Sequence, residues 1–159
     1  MASEWTHHIS YSPGMIAVCI NKVNQATAVN IKETKQFGVS IAATDQNMIA
    51  SIAGGSHGQD VDKMKVLKDL GYKFSKAKHI KPVMVDGAVL QIECKLIREI
   101  ADVGSHTIFI GEALSITLNK DKQPLAYHGG KYFKLGENIQ KPPEQELNKI
   151  KQLVEKYRR

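Results

Sequence analysis

Long apolar runs are missing from this chain. None of its 159 residues lies in an apolar stretch of bilayer-crossing length, and the polar start, Met1 to His8, lacks the apolar centre of a signal peptide. A cytoplasmic protein with no membrane partner is therefore expected. Cysteine is scarce too. Cys19 and Cys94 are the only two and have no CxxC spacing, which argues against a thiolate metal site or dithiol redox motif and predicts isolated, buried thiols. The six histidines are scattered without an acidic partner motif, so no metal site is expected. Catalytic-triad spacing, paired carboxylates, internal repeats and low-complexity segments are all lacking.

What remains is an ordinary globular composition, with 42% apolar and 24% charged residues. One domain with a real core follows from that length and balance. The net charge of +6 is concentrated: residues 141–159 carry six Lys or Arg against three Glu, and Lys73, Lys76, Lys78 and Lys81 form a second cluster. No zinc finger, helix-turn-helix or aromatic-rich RNA-binding motif accompanies them. Solvated lysine surface is expected, with no nucleic-acid partner, and an anionic small molecule accounts more simply for a few of the lysines.

Strands dominate the pattern. Met15 to Ile20 and Phe37 to Ala42 are short apolar runs, and Ala88 to Ile100 alternates Leu90, Ile92, Cys94 and Leu96 with Gln91, Glu93 and Lys95. A hairpin-like connection leads to Ser105 to Leu118, where Ile108, Ile110, Leu114 and Ile116 share the parity of His106 and Thr107, Phe109 and Ser115 take the other. Leu125 to Tyr127 and Lys131 to Leu135 flank a Gly129-Gly130 turn. Helices are expected over Thr27 to Lys35 with Thr27 as cap, Asp45 to Ala53, Asp60 to Leu70, and after Pro142-Pro143. Leu147, Ile150, Val154 and Tyr157 stripe the last of these. The architecture expected from this pass is mainly β, a closed or partly closed antiparallel barrel carrying a few short helices and a C-terminal helix.

Two segments suit an anion. "NKVNQATAVN", Asn21 to Asn30, puts a lysine, amide side chains and a threonine just before a helix, whose free N–H groups favour negative charge. "GGSHGQDVDK", Gly54 to Lys63, is a glycine-rich loop between helices. Each alone reads equally as a cap or a loop. His106 alone reads as a hydrogen-bonded histidine at a strand end.

In order along the chain, these pieces resemble the flavin reductase-like, FMN-binding split-barrel family. "MASEW" is similar to its small-residue stretch along the flavin, and Pro13, "MIAVCI", "NK" with Thr27, and "FGVSI" follow in sequence. "GSHGQDVDKM" resembles its Ser-Gly and Asp-Lys-aromatic pattern, with Met64 in the aromatic place. "LQIECKL" resembles its Glu-Cys strand, "GSHTIFIGEA" its Gly-Asp-His strand ending in Gly-Glu-Val, and "PLAYHGGKY" its closing segment. Coverage runs from residue 1 to about residue 135. Two departures stand out: Ser105 replaces the usual aspartate, bringing a hydroxyl without charge, and the family's usual first strand would lie ahead of Met1.

The resemblance implies a Greek-key split barrel over residues 1–140, with 141–159 as a helical extension. It implies FMN as cofactor and NAD(P)H as co-substrate in an oxidoreductase that transfers hydride to flavin. An FMN-carrying electron-transfer protein without a nicotinamide site is the alternative. Ser3, Glu4, Trp5 and Thr6 would line the flavin ring, and Asn21, Lys22, Gln25, Ala26 and Thr27 would hold its ribityl phosphate. Ser56 and Lys63 would add contacts from the second loop. His106 would orient the nicotinamide or supply a proton. A homodimer is implied, with a redox partner protein or oxygenase component as acceptor. Trp5 also reads as a core aromatic and Lys63 as a solvated helix lysine.

Overall fold

In β2 (Gly14–Asn21), Ile16, Val18 and Ile20 are buried while Met15, Ala17 and Cys19 between them are only half-buried. That period of two makes the strand central, with one face in the core and the other half-covered. The computed structural model describes residues 1–23, 26–102 and 104–158. β2 pairs on one side with β1 (Thr6–Tyr11) and on the other with β7 (His106–Leu118). β7 pairs with β6 (Leu90–Ile100), and β6 with β3 (Gln36–Ile41), completing an antiparallel sheet in the order β1-β2-β7-β6-β3. Two short ribbons complete the described strands: β4 (Phe74–Lys76) with β5 (Val83–Val85), and β8 (Ala126–His128) with β9 (Lys131–Phe133).

Helix α1 (Ala26–Thr34) lies on the core face, where Ala28 and Ile31 join Ile16, Val18, Ile20, Phe37, Ile92, Cys94 and Phe109. It ends at Lys35, whose φ of 57° takes the left-handed turn more often given to glycine. Helices α2 (Asn47–Gly55) and α3 (Lys63–Asp69) follow β3, and α4 (Glu144–Lys156) closes the described chain.

Mainly β architecture, antiparallel pairing and the C-terminal helix are as expected, but among the described residues no sheet closes on itself. The expected strands appear within two residues of their expected ends, and the hairpin joining β6 to β7 is present. Three strands had little sequence signal. β1 is polar, "THHISY", and β4 and β5 are three residues each within the lysine-rich segment. Helix starts moved inward: Asp62, not Asp60, caps α3 by accepting from the Lys65 amide at 3.0 Å. Asp45 stays outside α2 and pairs with Lys122 instead. Gln46 is spent on the Ala43 amide and the Asp86 carbonyl.

β7 inverts the simple reading of its pattern. The covered face carries Thr107, Phe109 and Gly111, whereas His106, Ile108 and Ile110 lie on the half-exposed face. Glu93 pairs with Ser115 and Cys94 with Ala113, so Leu114 is the extra residue of a bulge. Beyond it Leu114, Ile116 and Leu118 are all exposed. Cys94 is fully buried, and burial pushes its thiol pKa up to about 12. Cys19 is only half-buried, because it sits on the open face.

Candidate functional site

One end of the sheet gathers segments that are far apart in sequence. The register sets Asn21, last in β2, opposite His106, first in β7. The N-terminal stretch runs alongside: the Cys19 amide donates to the Trp5 carbonyl at 2.9 Å, and the Thr6 hydroxyl lies 3.4 Å from that of Ser3. Ser3 Oγ in turn reaches the Cys19 carbonyl at 3.5 Å, the outer limit of a hydrogen bond. Trp5 lies against the His106 ring with centroids 4.4 Å apart and planes tilted by 42°. Half of the indole remains exposed, so it is a surface aromatic and not the core residue of the alternative reading.

Lys22 ties the β2–α1 turn to the start of β7. Its backbone amide donates to the Ser105 carbonyl at 3.0 Å, and its ammonium donates to the Gly104 carbonyl at 2.8 Å. A lysine ammonium has three donors, so this bond leaves others for an anion. Asn21 Oδ1 accepts the Val23 amide at 2.9 Å, an Asx turn that bends the chain toward α1. Ala26 opens α1, and Thr27 stands within its first turn instead of at the expected cap. Gln25 lies outside the described residues.

The glycine-rich loop approaches the same region. A Cβ built on Gly58 would sit 3.6 Å from that of Ala26, and one on Gly54 would sit 3.4 Å from that of Ala2. Ser56 ends α2 in extended backbone. Lys63 donates to the Ala53 carbonyl at 2.8 Å, placing its cation at the C-terminal end of α2, where the helix dipole favours it. The Met1 amine is held below its usual value by burial and by the Lys63 charge. Glu4 is exposed and makes no hydrogen bond or ion pair with the described residues.

The structure thus joins Ser3, Trp5, Thr6, Asn21, Lys22 and His106 directly. Ala26, Thr27 and the loop holding Ser56 lie next to them, and Lys63 is anchored one step behind. Sequence reasoning missed the Gly104 and Ser105 carbonyls that fix Lys22. Backbone acceptors leave no mark in side-chain identity, and these lie more than eighty residues from their donor. A cleft of about 380 Å³ borders the site, lined by Lys22, Ala28, Val29, Lys32, Ala101 and Thr107. Among the described residues, no three His, Cys, Asp or Glu side chains are grouped to hold a metal ion. No helix there is long and apolar enough to cross a membrane.

The family model for the flavin reductase-like domain matches residues 1–136. The chain belongs to the flavin reductase-like domain family. A ferric-chelate reductase (NAD(P)H) of Archaeoglobus fulgidus is 33% identical over 120 residues, spanning 75% of this chain and 67% of that one. The flavoredoxin of Desulfovibrio vulgaris is 26% identical with a TM-score of 0.75, covering 91% of this chain and 82% of its own. The flavin reductase component of a bacterial two-component tryptophan halogenase is 26% identical with a TM-score of 0.71, covering 86% and 81%. The family's matched region ends before α4.

Proposed function

We propose that this flavin reductase-like chain is an NAD(P)H-dependent oxidoreductase that binds FMN at the end of the sheet described above. The observation carrying this reading is the convergence of residues 3–6, 21–22, 26–27 and 104–106 at one end of the sheet, inside the family's matched region. The groups present fit the cofactor. Lys22, the free amides of α1 and the Thr27 hydroxyl supply charge and donors for a phosphate. Ser3, Glu4, Trp5 and Thr6 would hold the isoalloxazine ring, Asn21, Gln25 and Ala26 the ribityl chain, and Ser56 and Lys63 would add phosphate or ring contacts from the second loop. When bound, FMN supplies the hydride-accepting ring. The protein binds and orients: His106, with Trp5 against its ring, would position the nicotinamide.

The rival reading is an FMN-carrying electron-transfer protein without a nicotinamide site. Likeness to flavoredoxin supports it. Steady-state oxidation of NADH and NADPH by the FMN-loaded protein separates the two. Turnover supports the reductase, and a yellow protein inert to both dinucleotides supports the carrier.

Finer features of the same reading are a Greek-key split barrel over residues 1–140, a helical extension over 141–159 and a cytoplasmic location. A homodimer would cover the half-exposed face of β2 and β7, with Met15, Ile108 and Ile110. The acceptor of the reduced flavin would be a redox partner protein or an oxygenase component, in line with the likeness to the halogenase's reductase component.

A further inference from the structure

We propose that Ser105 is the positioning residue of His106, holding its imidazole as the neutral form protonated on Nε2 and so presenting an N–H donor to a carbonyl group of the substrate. The inference rests on the reading of His106 as the nicotinamide-facing residue, but its physical basis is local. Ser105 Oγ lies 2.9 Å from Nδ1 of His106, and the hydroxyl makes no other side-chain contact with the described residues. The loop beneath it is fixed, because both the Gly104 and the Ser105 carbonyls accept from Lys22. The backbone that carries the hydroxyl is thereby held in place.

A hydroxyl can donate its proton to the one lone pair of a neutral imidazole or accept from the ring N–H, and the tautomer decides which. Donation from Ser105 to Nδ1 puts the ring proton on Nε2, the form that a free histidine side chain already prefers. Among the described residues no carboxylate hydrogen-bonds the ring, and the charged side chain tied to this loop, Lys22, is a cation. Trp5 restricts rotation of the ring from one side, and Nε2 has no partner among the described residues. The site therefore offers a fixed donor suited to a carboxamide oxygen. It does not offer a base.

The test needs neither flavin nor dinucleotide. Protein labelled with ¹⁵N-histidine gives long-range ¹H–¹⁵N correlations that report the tautomer of each ring, and His106→Gln identifies the His106 signals. Wild type at pH 8 is expected to show His106 almost wholly protonated on Nε2. Ser105→Ala should relax it to a mixture, and Ser105→Thr should restore it. In the FMN-loaded protein Ser105→Ala should slow reduction by NAD(P)H about tenfold at unchanged FMN affinity, with Thr recovering the rate. A wild-type ring protonated on Nδ1, or an unchanged tautomer in Ser105→Ala, overturns the proposal. A tautomer that shifts while no variant oxidises NAD(P)H upholds Ser105 and refutes the reductase reading instead.

Discussion

At Lys22 one side chain and its own backbone bond two successive carbonyls, those of Gly104 and Ser105. The residue most suited to an anion is thus already part of the scaffold that holds His106. Its loss combines two effects, and the choice of ligand separates them. Replacing Lys22 and Thr27 together by alanine removes a cation and a hydroxyl from the proposed phosphate site, each contact contributing about 1.5–3 kcal/mol when charge-assisted. FMN affinity should fall at least about tenfold, by fluorescence titration, while riboflavin, which lacks the phosphate, keeps its affinity. Equal weakening of both would show that the pair only supports the loop. Residues of this kind were legible because lysine, threonine and a helix start are adjacent in sequence. The Ser105–His106 contact was equally local. The Trp5–His106 contact was not, since only the register of β1, β2 and β7 brings residues 5 and 106 together.

Among the elements, β7 links the family motifs to the core. A Cβ at Gly111 would fall 2.5 Å from the Phe37 ring and 2.9 Å from the Cys94 Cβ. The glycine of "IFIGEA" and the phenylalanine of "FGVSI" are therefore two halves of one packing contact, which explains both motifs without reference to ligand. Gly111→Ala is expected to destabilise by about 1–3 kcal/mol through overpacking. Gly38→Ala should cost less, because its obstacle is the flexible end of Met84. Urea unfolding of both variants tests the order, and a larger cost at Gly38 would contradict it.

β6 carries a second such device. Glu93 is buried, with its carboxylate accepting from the amides of Lys78 at 3.0 Å and His79 at 2.6 Å. Burial alone would raise its pKa, but those amides, the nearby His79 and the Ile80 amide together hold it below the ordinary 4.5. A carboxyl depressed on folding contributes stability above its unfolded value and loses it as pH falls through the folded one. Glu93→Ala should thus cost about 1–3 kcal/mol near neutrality. The gap from wild type should narrow below pH 4.5, measured by denaturant titration at several pH values. A constant gap down to strongly acid pH would show that packing alone is at stake. Alternation in "LQIECKL" made the strand legible, but not this role. A glutamate on the polar parity reads as solvated unless its partners are known, and they come from a loop fourteen or fifteen residues earlier.

Across the whole molecule, the long strands and the helix positions were readable because apolar periodicity is a local property. The β4–β5 ribbon was not, since its three-residue strands carry too little pattern. The covered face of β7 was misleading for a related reason: Ile108 and Ile110 lie on the open face, and the bulge at Leu114 breaks the simple alternation beyond them. No residue of α4 is buried either, and Leu147, Ile150, Val154 and Tyr157 all remain exposed. Aliphatic surface on both features is what a second copy of the chain would cover. Sedimentation of the FMN-loaded protein at micromolar concentration should give a dimer, and Ile108→Lys with Ile110→Lys should convert it to monomer. A monomeric wild type would contradict this.

The central claim is that NAD(P)H delivers hydride to a flavin held beside His106. Anaerobic rapid mixing of the FMN-loaded protein with NADH and with NADPH, followed at the flavin absorbance band, tests it most directly. At least one dinucleotide should bleach the wild type. His106→Ala should keep its bound FMN yet be reduced about 10²-fold more slowly, while dithionite reduces both proteins equally fast. A wild type bleached by dithionite but by neither dinucleotide, or a His106→Ala protein reduced by NAD(P)H as fast as wild type, would contradict the account.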